Sequence, residues 1–272
     1  MNKIFRGVVY FVKVILTSIG YITYFLAIVG FLVIGLPFSF LFVLNPGLMR
    51  GVMYAVLKGY TYFLTRLWLP ALGIYRVSSV SDYDSPALRG SIIVANHRGR
   101  LDALLLLSML PPTAVVIKQK YARIPMYSSF VKHLDFVNID PDSLSSLGAA
   151  IEKSRRVLTQ GKCLLVFPEG TRAKTGRLLP FKPFPFRIAL ETGAPIAPVL
   201  IHSGLPFMAR CKGSIFPRRM FDYKVRFLSP CRPDAVRETA SGFADRVRRI
   251  MGNELAVLDK GSYWDQSLRK EI

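Results

Sequence analysis

Asn96-His97-Arg98-Gly99-Arg100-Leu101-Asp102 places an imidazole and a carboxylate five positions apart. When a carboxylate holds one ring nitrogen of a histidine, the tautomer is fixed and the other nitrogen is left as a base. Five positions is not a helical spacing, which brings together residues three or four apart. The pair therefore requires a turn that folds Asp102 back towards the His97 ring. The competing reading makes Asp102 a cap for the following helix and His97 a loop residue. A second polar group, Glu169-Gly170-Thr171-Arg172, supplies a glycine, a hydroxyl and a guanidinium within one turn. A guanidinium can fork onto two phosphate oxygens, which a lysine cannot do.

Both groups follow apolar runs that read as buried strands, Ser91 to Ala95 and Lys162 to Phe167. Similar runs lie at Tyr75 to Val80, Ala114 to Lys118, Asp135 to Ile139, Ile196 to Ile201 and Tyr223 to Leu228. Helical patterns fall between them near 101–110, 122–132, 143–159 and 182–192. The third opens on Asp142 or Ser143 as a cap and closes at Gly161. Strands alternating with helices predict an α/β domain with a mostly parallel sheet flanked by helices. In such sheets ligands bind beyond the carboxyl ends of strands, where His97, Lys118 and Glu169 all fall. Asp234 to Leu258 reads as a basic amphipathic helix with Val236, Phe243, Val247, Ile250 and Leu255 on its apolar side.

The amino-terminal part differs. Val14 to Met49 carries no charge, and Lys3, Arg6, Lys13, Arg50 and Lys58 flank it without a single acid. One straight helix over that stretch would be roughly 54 Å long, against a hydrocarbon core of ~30 Å. A break at Gly30, Gly35 and Pro37 is expected, giving a membrane hairpin or re-entrant pair with both basic flanks on the cytoplasmic side. A single span is the alternative. Residues 47–69 follow as an amphipathic helix, suited equally to a membrane interface and to packing as a linker helix on the domain. The chain thus divides into residues 1–69, a membrane-embedded segment with its linker helix, and residues 70–272, the α/β domain.

The two polar groups together, Asn-His-x4-Asp and then Phe167-Pro168-Glu169-Gly170-Thr171-Arg172, resemble the glycerolipid acyltransferase family over roughly residues 75 to 230. The resemblance implies a membrane-bound enzyme. It moves a fatty acyl group from acyl-CoA or acyl-carrier protein to the free hydroxyl of a lysophospholipid, first of all 1-acylglycerol-3-phosphate. It makes His97 the general base and Asp102 its orienting partner. Glu169, Gly170, Thr171 and Arg172 become the acceptor-binding turn, with Glu169 ordering the turn and Arg172 rather than touching phosphate. The family's second motif, a lysine seven residues before a proline, matches Lys118 and Pro125, making Lys118 a phosphate or thioester contact. Its fourth matches Ala194 to Leu200. No Gly-x-Ser-x-Gly elbow suggests an acyl-enzyme, and no cofactor is implied. The chain departs from the family where Ile-Asp-Arg becomes Ile139-Asp140-Pro141. That removes an arginine able to hold phosphate and leaves a different lyso-lipid acceptor as the alternative.

Composition fits a membrane partner. The 272 residues are 51% hydrophobic with a net charge of +20, which suits an anionic lipid surface or a phosphorylated substrate. The basic residues form no nucleic-acid module, so no nucleic acid is expected. A non-catalytic basic membrane-binding protein is the rival from another class, and the intact His97–Asp102 spacing argues against it. Cys163, Cys211 and Cys231, with His97, His133 and His202, show no metal-ligand spacing. No metal or disulfide framework is expected, in keeping with a cytoplasmic location on the inner face of a membrane.

Overall fold

The computed structural model describes residues 3–38, 45–79, 86–124, 128, 133–211, 215–217, 220–234 and 236–269. Seven strands form one sheet: β1 (Tyr75–Ser79), β2 (Ile92–Ala95), β3 (Thr113–Lys118), β4 (Val137–Ile139), β5 (Cys163–Val166), β6 (Ile196–Ser203) and β7 (Phe221–Phe227). Their order is β1-β7-β6-β2-β5-β3-β4. Every neighbouring pair is parallel except β6 and β7. Each predicted strand is present to within two residues at its ends.

The central strands are apolar throughout because both faces of the sheet are covered. Ile93 and Ala95 point to one face and Ile92 and Val94 to the other, which follows from the two-residue period of a strand. On the first face pack α2 (Pro46–Tyr62) and α3 (Asp102–Met109). On the second pack α4 (Leu144–Thr159), α5 (Phe184–Thr192) and α6 (Ala240–Asp259). A last helix, α7 (Tyr263–Arg269), follows α6. Ser143 caps α4 by accepting a bond from the Ser146 amide at 3.3 Å, and Gly193, with φ 71°, ends α5.

α6 starts later than its sequence pattern suggests. The Asp234 carboxylate accepts the Val236 and Arg237 amides, a local turn that competes with helix. Val236 is consequently 94% exposed, and Thr239 caps the helix instead. The buried stripe is Phe243, Val247, Met251 and Leu255, and Ile250 lies outside it. The helix expected at 122–132 lies mostly outside the described residues, as does Pro125.

α1 runs unbroken from Lys3 to Phe38. The expected break at Gly30 and Gly35 is absent, since a glycine costs a helix only ~1 kcal/mol. Pro37 lies in the last described turn of this helix. The return from Phe38 to α2 falls outside the described residues. Within α1, Phe5–Leu26 is long and apolar enough to cross a membrane. α1 meets the domain around Gly20, where an added Cβ would lie 3.0 Å from Leu69 and 3.2 Å from Ile74. The Trp68 indole donates to Thr23 at 2.8 Å nearby. α2 and the turns after it bury Leu57, Leu64 and Leu69 on the domain and leave Leu48, Val52, Val56, Phe63 and Leu67 open. One side of this segment thus packs on the domain and the other stays open.

Candidate active site

Asn96 pins the chain where it leaves β2. Its side-chain oxygen accepts the Ile201 amide at 2.7 Å and its nitrogen donates to the Ile201 carbonyl at 2.9 Å, tying the turn to β6. Asp102 then closes the turn from the first residue of α3. One carboxylate oxygen, Oδ2, accepts His97 Nδ1 at 2.9 Å, the Arg98 amide at 2.7 Å and the Gly99 amide at 2.8 Å. The five-residue spacing thus works because the carboxylate gathers the turn's own amides together with the ring. Oδ1 accepts the Tyr223 hydroxyl. Burial, with the Asp102 charge added, raises the Tyr223 pKa well above its usual value and keeps that hydroxyl a donor.

Asp102 is fully buried. Oδ2 already accepts two backbone amides and is an acceptor towards the ring as well, so Nδ1 carries the proton and Nε2 is the basic nitrogen. Phe167 stacks on the ring at 4.2 Å between centroids and holds its plane. Gly99 is required by close approach, since a Cβ there would lie 2.9 Å from the Phe207 carbonyl oxygen.

The second turn is built against the first. Glu169 is 4% exposed. It accepts the His97 amide at 2.8 Å with one oxygen and the Leu179 amide at 3.0 Å with the other. The Ala173 amide donates to the His97 carbonyl at 2.7 Å. Glu169 therefore orders the backbone at His97 and Leu179, where the sequence reading had it order its own turn and Arg172, and burial raises its pKa. Gly170 has φ 66°, a conformation that favours glycine.

Arg172 is half-buried and donates to the Met208 carbonyl at 2.8 Å. The Arg100 amide donates to the same carbonyl at 3.2 Å. Arg210 donates to the Thr171 hydroxyl at 2.8 Å. Burial lowers the Arg172 pKa, and the charges of Arg100 and Arg210 lower it further. The three arginines thus come from segments that meet at Met208 and Thr171, and an anion near Arg172 would offset the repulsion it feels from the other two.

Lys118 is exposed at the end of β3. It is two strands from β2 and so roughly 10 Å from the His97 backbone, at ~4.8 Å per strand. Pro141 is exposed beyond β4, the far edge strand.

Sequence reasoning missed several residues. Tyr223, Arg100, Met208 and Arg210 come from distant positions with no motif of their own. Arg98 is 3% exposed. It pairs with Asp259 at 2.8 Å through Nη1, donates to the Gly176 carbonyl at 3.0 Å and lies over the Trp264 ring at 4.4 Å. His202 Nδ1 reaches the same Asp259 carboxylate at 2.7 Å. The end of α6 and the start of α7 thereby buttress the residue next to the histidine. The one available signal was an arginine inside an otherwise tight turn.

A family model described as Acyltransferase matches residues 77–202. The chain is 32% identical over 146 residues to the 1-acyl-sn-glycerol-3-phosphate acyltransferase of Cocos nucifera, covering 53% of this chain and 46% of that protein. It is 28% identical over 182 residues to a probable 1-acyl-sn-glycerol-3-phosphate acyltransferase of Mycoplasma pneumoniae, covering 63% of this chain and 67% of the other. The matches thus span about half to two thirds of these curated relatives. The crystal structure of the 1-acyl-sn-glycerophosphate (LPA) acyltransferase PlsC from Thermotoga maritima superposes with a TM-score of 0.70 at 23% identity, covering 91% of this chain and 96% of the other. That likeness extends to the fold beyond the matched residues. Both turns lie within residues 77–202, the stretch that the Acyltransferase family model matches.

Proposed function

We propose that this chain is a membrane-bound O-acyltransferase that moves a fatty acyl group from a thioester donor to the free hydroxyl of 1-acylglycerol-3-phosphate, forming phosphatidate. The observation that carries it is the His97–Asp102 pair, with Nε2 left as the base. Nε2 takes the proton from the acceptor hydroxyl as its oxygen attacks the thioester carbon. The carbon–sulfur bond breaks, and the imidazolium returns the proton to the departing thiolate. A positioned base of this kind contributes ~10²–10⁴-fold.

The names of the relatives support the acceptor, and so does the group formed by Arg100, Arg172 and Arg210, which supplies cationic charge where Pro141 does not. The alternative of a different lyso-lipid acceptor rests on Pro141 alone. α1 is the anchor in this reading, with the domain facing the cytoplasm. Purified protein in detergent is expected to release thiol from acyl-CoA only when lysophosphatidate is present. His97→Ala is expected to lower that rate at least a hundredfold with the protein still folded. A variant that keeps a tenth of the rate removes His97 as the base.

A further inference from the structure

Behind the catalytic turn, on the face of the sheet away from α2, a groove of about 590 Å³ runs between residues 176–178 and the flank of α6. Arg177 stands on one wall, with Arg248 and Arg249 on the other. The carboxylates nearby do not balance them. Asp259 is committed to Arg98 and His202, while Asp245 lies 3.7 Å from Arg248 as a loose pair. Nε of Arg248 is buried with no hydrogen-bond partner. Arg246 also lines the groove, but Glu238 holds it through two bonds of 2.6 and 2.8 Å.

Size and charge together describe the occupant. The volume is that of a small-molecule site and not of a protein footprint. Forked guanidinium groups on facing walls suit phosphate oxygens. Position adds a third constraint. The inner end of the groove is formed by Gly176 and Asp259, both bonded to Arg98, the neighbour of His97. A phosphorylated group lodged there lies against residues that hold the chain neighbour of His97. α1 and α2 occupy the other side of the molecule, so a water-soluble donor and a lipid acceptor would approach from opposite faces.

We infer that the groove formed by Arg177, Arg248 and Arg249 holds the phosphate-bearing end of a small-molecule acyl thioester of the coenzyme A type. The inference rests on the acyltransfer reading above and locates its donor.

The test uses the full chain in detergent micelles. Binding of free coenzyme A is measured by calorimetry without acyl group or acceptor, so the readout does not depend on turnover. Wild type is expected to bind it. The double variant Arg177→Ala/Arg249→Ala is expected to bind roughly tenfold or more weakly, as loss of charge-assisted contacts implies. Pantetheine, which lacks the phosphates, should not distinguish the two proteins. Asn253→Asp, which only adds negative charge to the wall, is expected to weaken coenzyme A as well. In turnover, KM for acyl-CoA should rise while KM for lysophosphatidate and kcat stay near wild type. Equal coenzyme A binding by wild type and both variants overturns the inference. So does a loss confined to acyl-carrier protein as donor, which would make the groove a protein-docking face. Weakened coenzyme A binding in a protein whose wild type transfers acyl groups from no donor would sink the acyltransfer reading and leave the phosphate site standing.

Discussion

At the scale of single residues, Arg172 separates an acceptor role from a structural one. Its guanidinium holds the Met208 carbonyl and stands with Arg100 and Arg210. If those three receive a phosphate monoester, Arg172→Lys loses the planar fork, and a lost charge-assisted bond costs ~1.5–3 kcal/mol. kcat/KM with lysophosphatidate is then expected to fall roughly 10- to 150-fold, with a much smaller loss on a zwitterionic lyso-lipid. Equal losses on both acceptors would assign Arg172 to the Met208 strap alone. Glu169 was harder to place from sequence. A glutamate beside a phosphate-binding arginine reads as that arginine's partner, yet its oxygens go to the His97 and Leu179 amides. Which donors a carboxylate collects is decided by how two distant loops meet, and spacing along the chain does not carry that information.

At the scale of elements, the strands and the helices of the second face were legible because unbroken apolar runs and 3.6-residue stripes are local properties. The continuity of α1 and the late start of α6 were not, since a tolerated glycine and a competing aspartate turn are each decided by small energy differences. The contact of α6 with the turn that carries His97 joins positions 161 residues apart and leaves no mark on either. It has a measurable consequence. Burial alone would raise the Asp259 pKa, but its bonds to Arg98 and His202 outweigh that and hold it below the ordinary value. A carboxylate depressed in this way contributes stability above its unfolded pKa of ~3.9 and loses it as pH falls through the folded value. Asp259→Asn leaves the Arg98 charge without its partner and should destabilise by ~3–5 kcal/mol near neutral pH. Thermal melts of both proteins should show a gap in Tm that is steady from pH 7 to about 5 and narrows below about 4. A gap that widens on acidification contradicts this assignment.

At the scale of the whole molecule, α1 and α2 lie on one side of the sheet and the groove of Arg177, Arg248 and Arg249 on the other. Tyr21 of α1 stacks on Phe207 with centroids 6.1 Å apart, and the Phe207 carbonyl abuts Gly99. Deleting residues 1–38 is expected to abolish flotation with anionic liposomes and to lower turnover of bilayer-presented acceptor more than tenfold. Micellar acceptor should suffer less. A deleted protein that still floats would transfer the anchoring to the open apolar side of α2. The order in which these parts leave the ribosome also follows from the geometry. α1 is made first, and His97 long before its buttress, because Asp259 and Trp264 are synthesised after every strand of the sheet. Domains fold as units during synthesis, so an emerging chain can be held at a bilayer while Arg98 still lacks its counter-charge. If α1 is the anchor proposed above, the chain would be placed before the turn that carries His97 gains its Arg98 buttress.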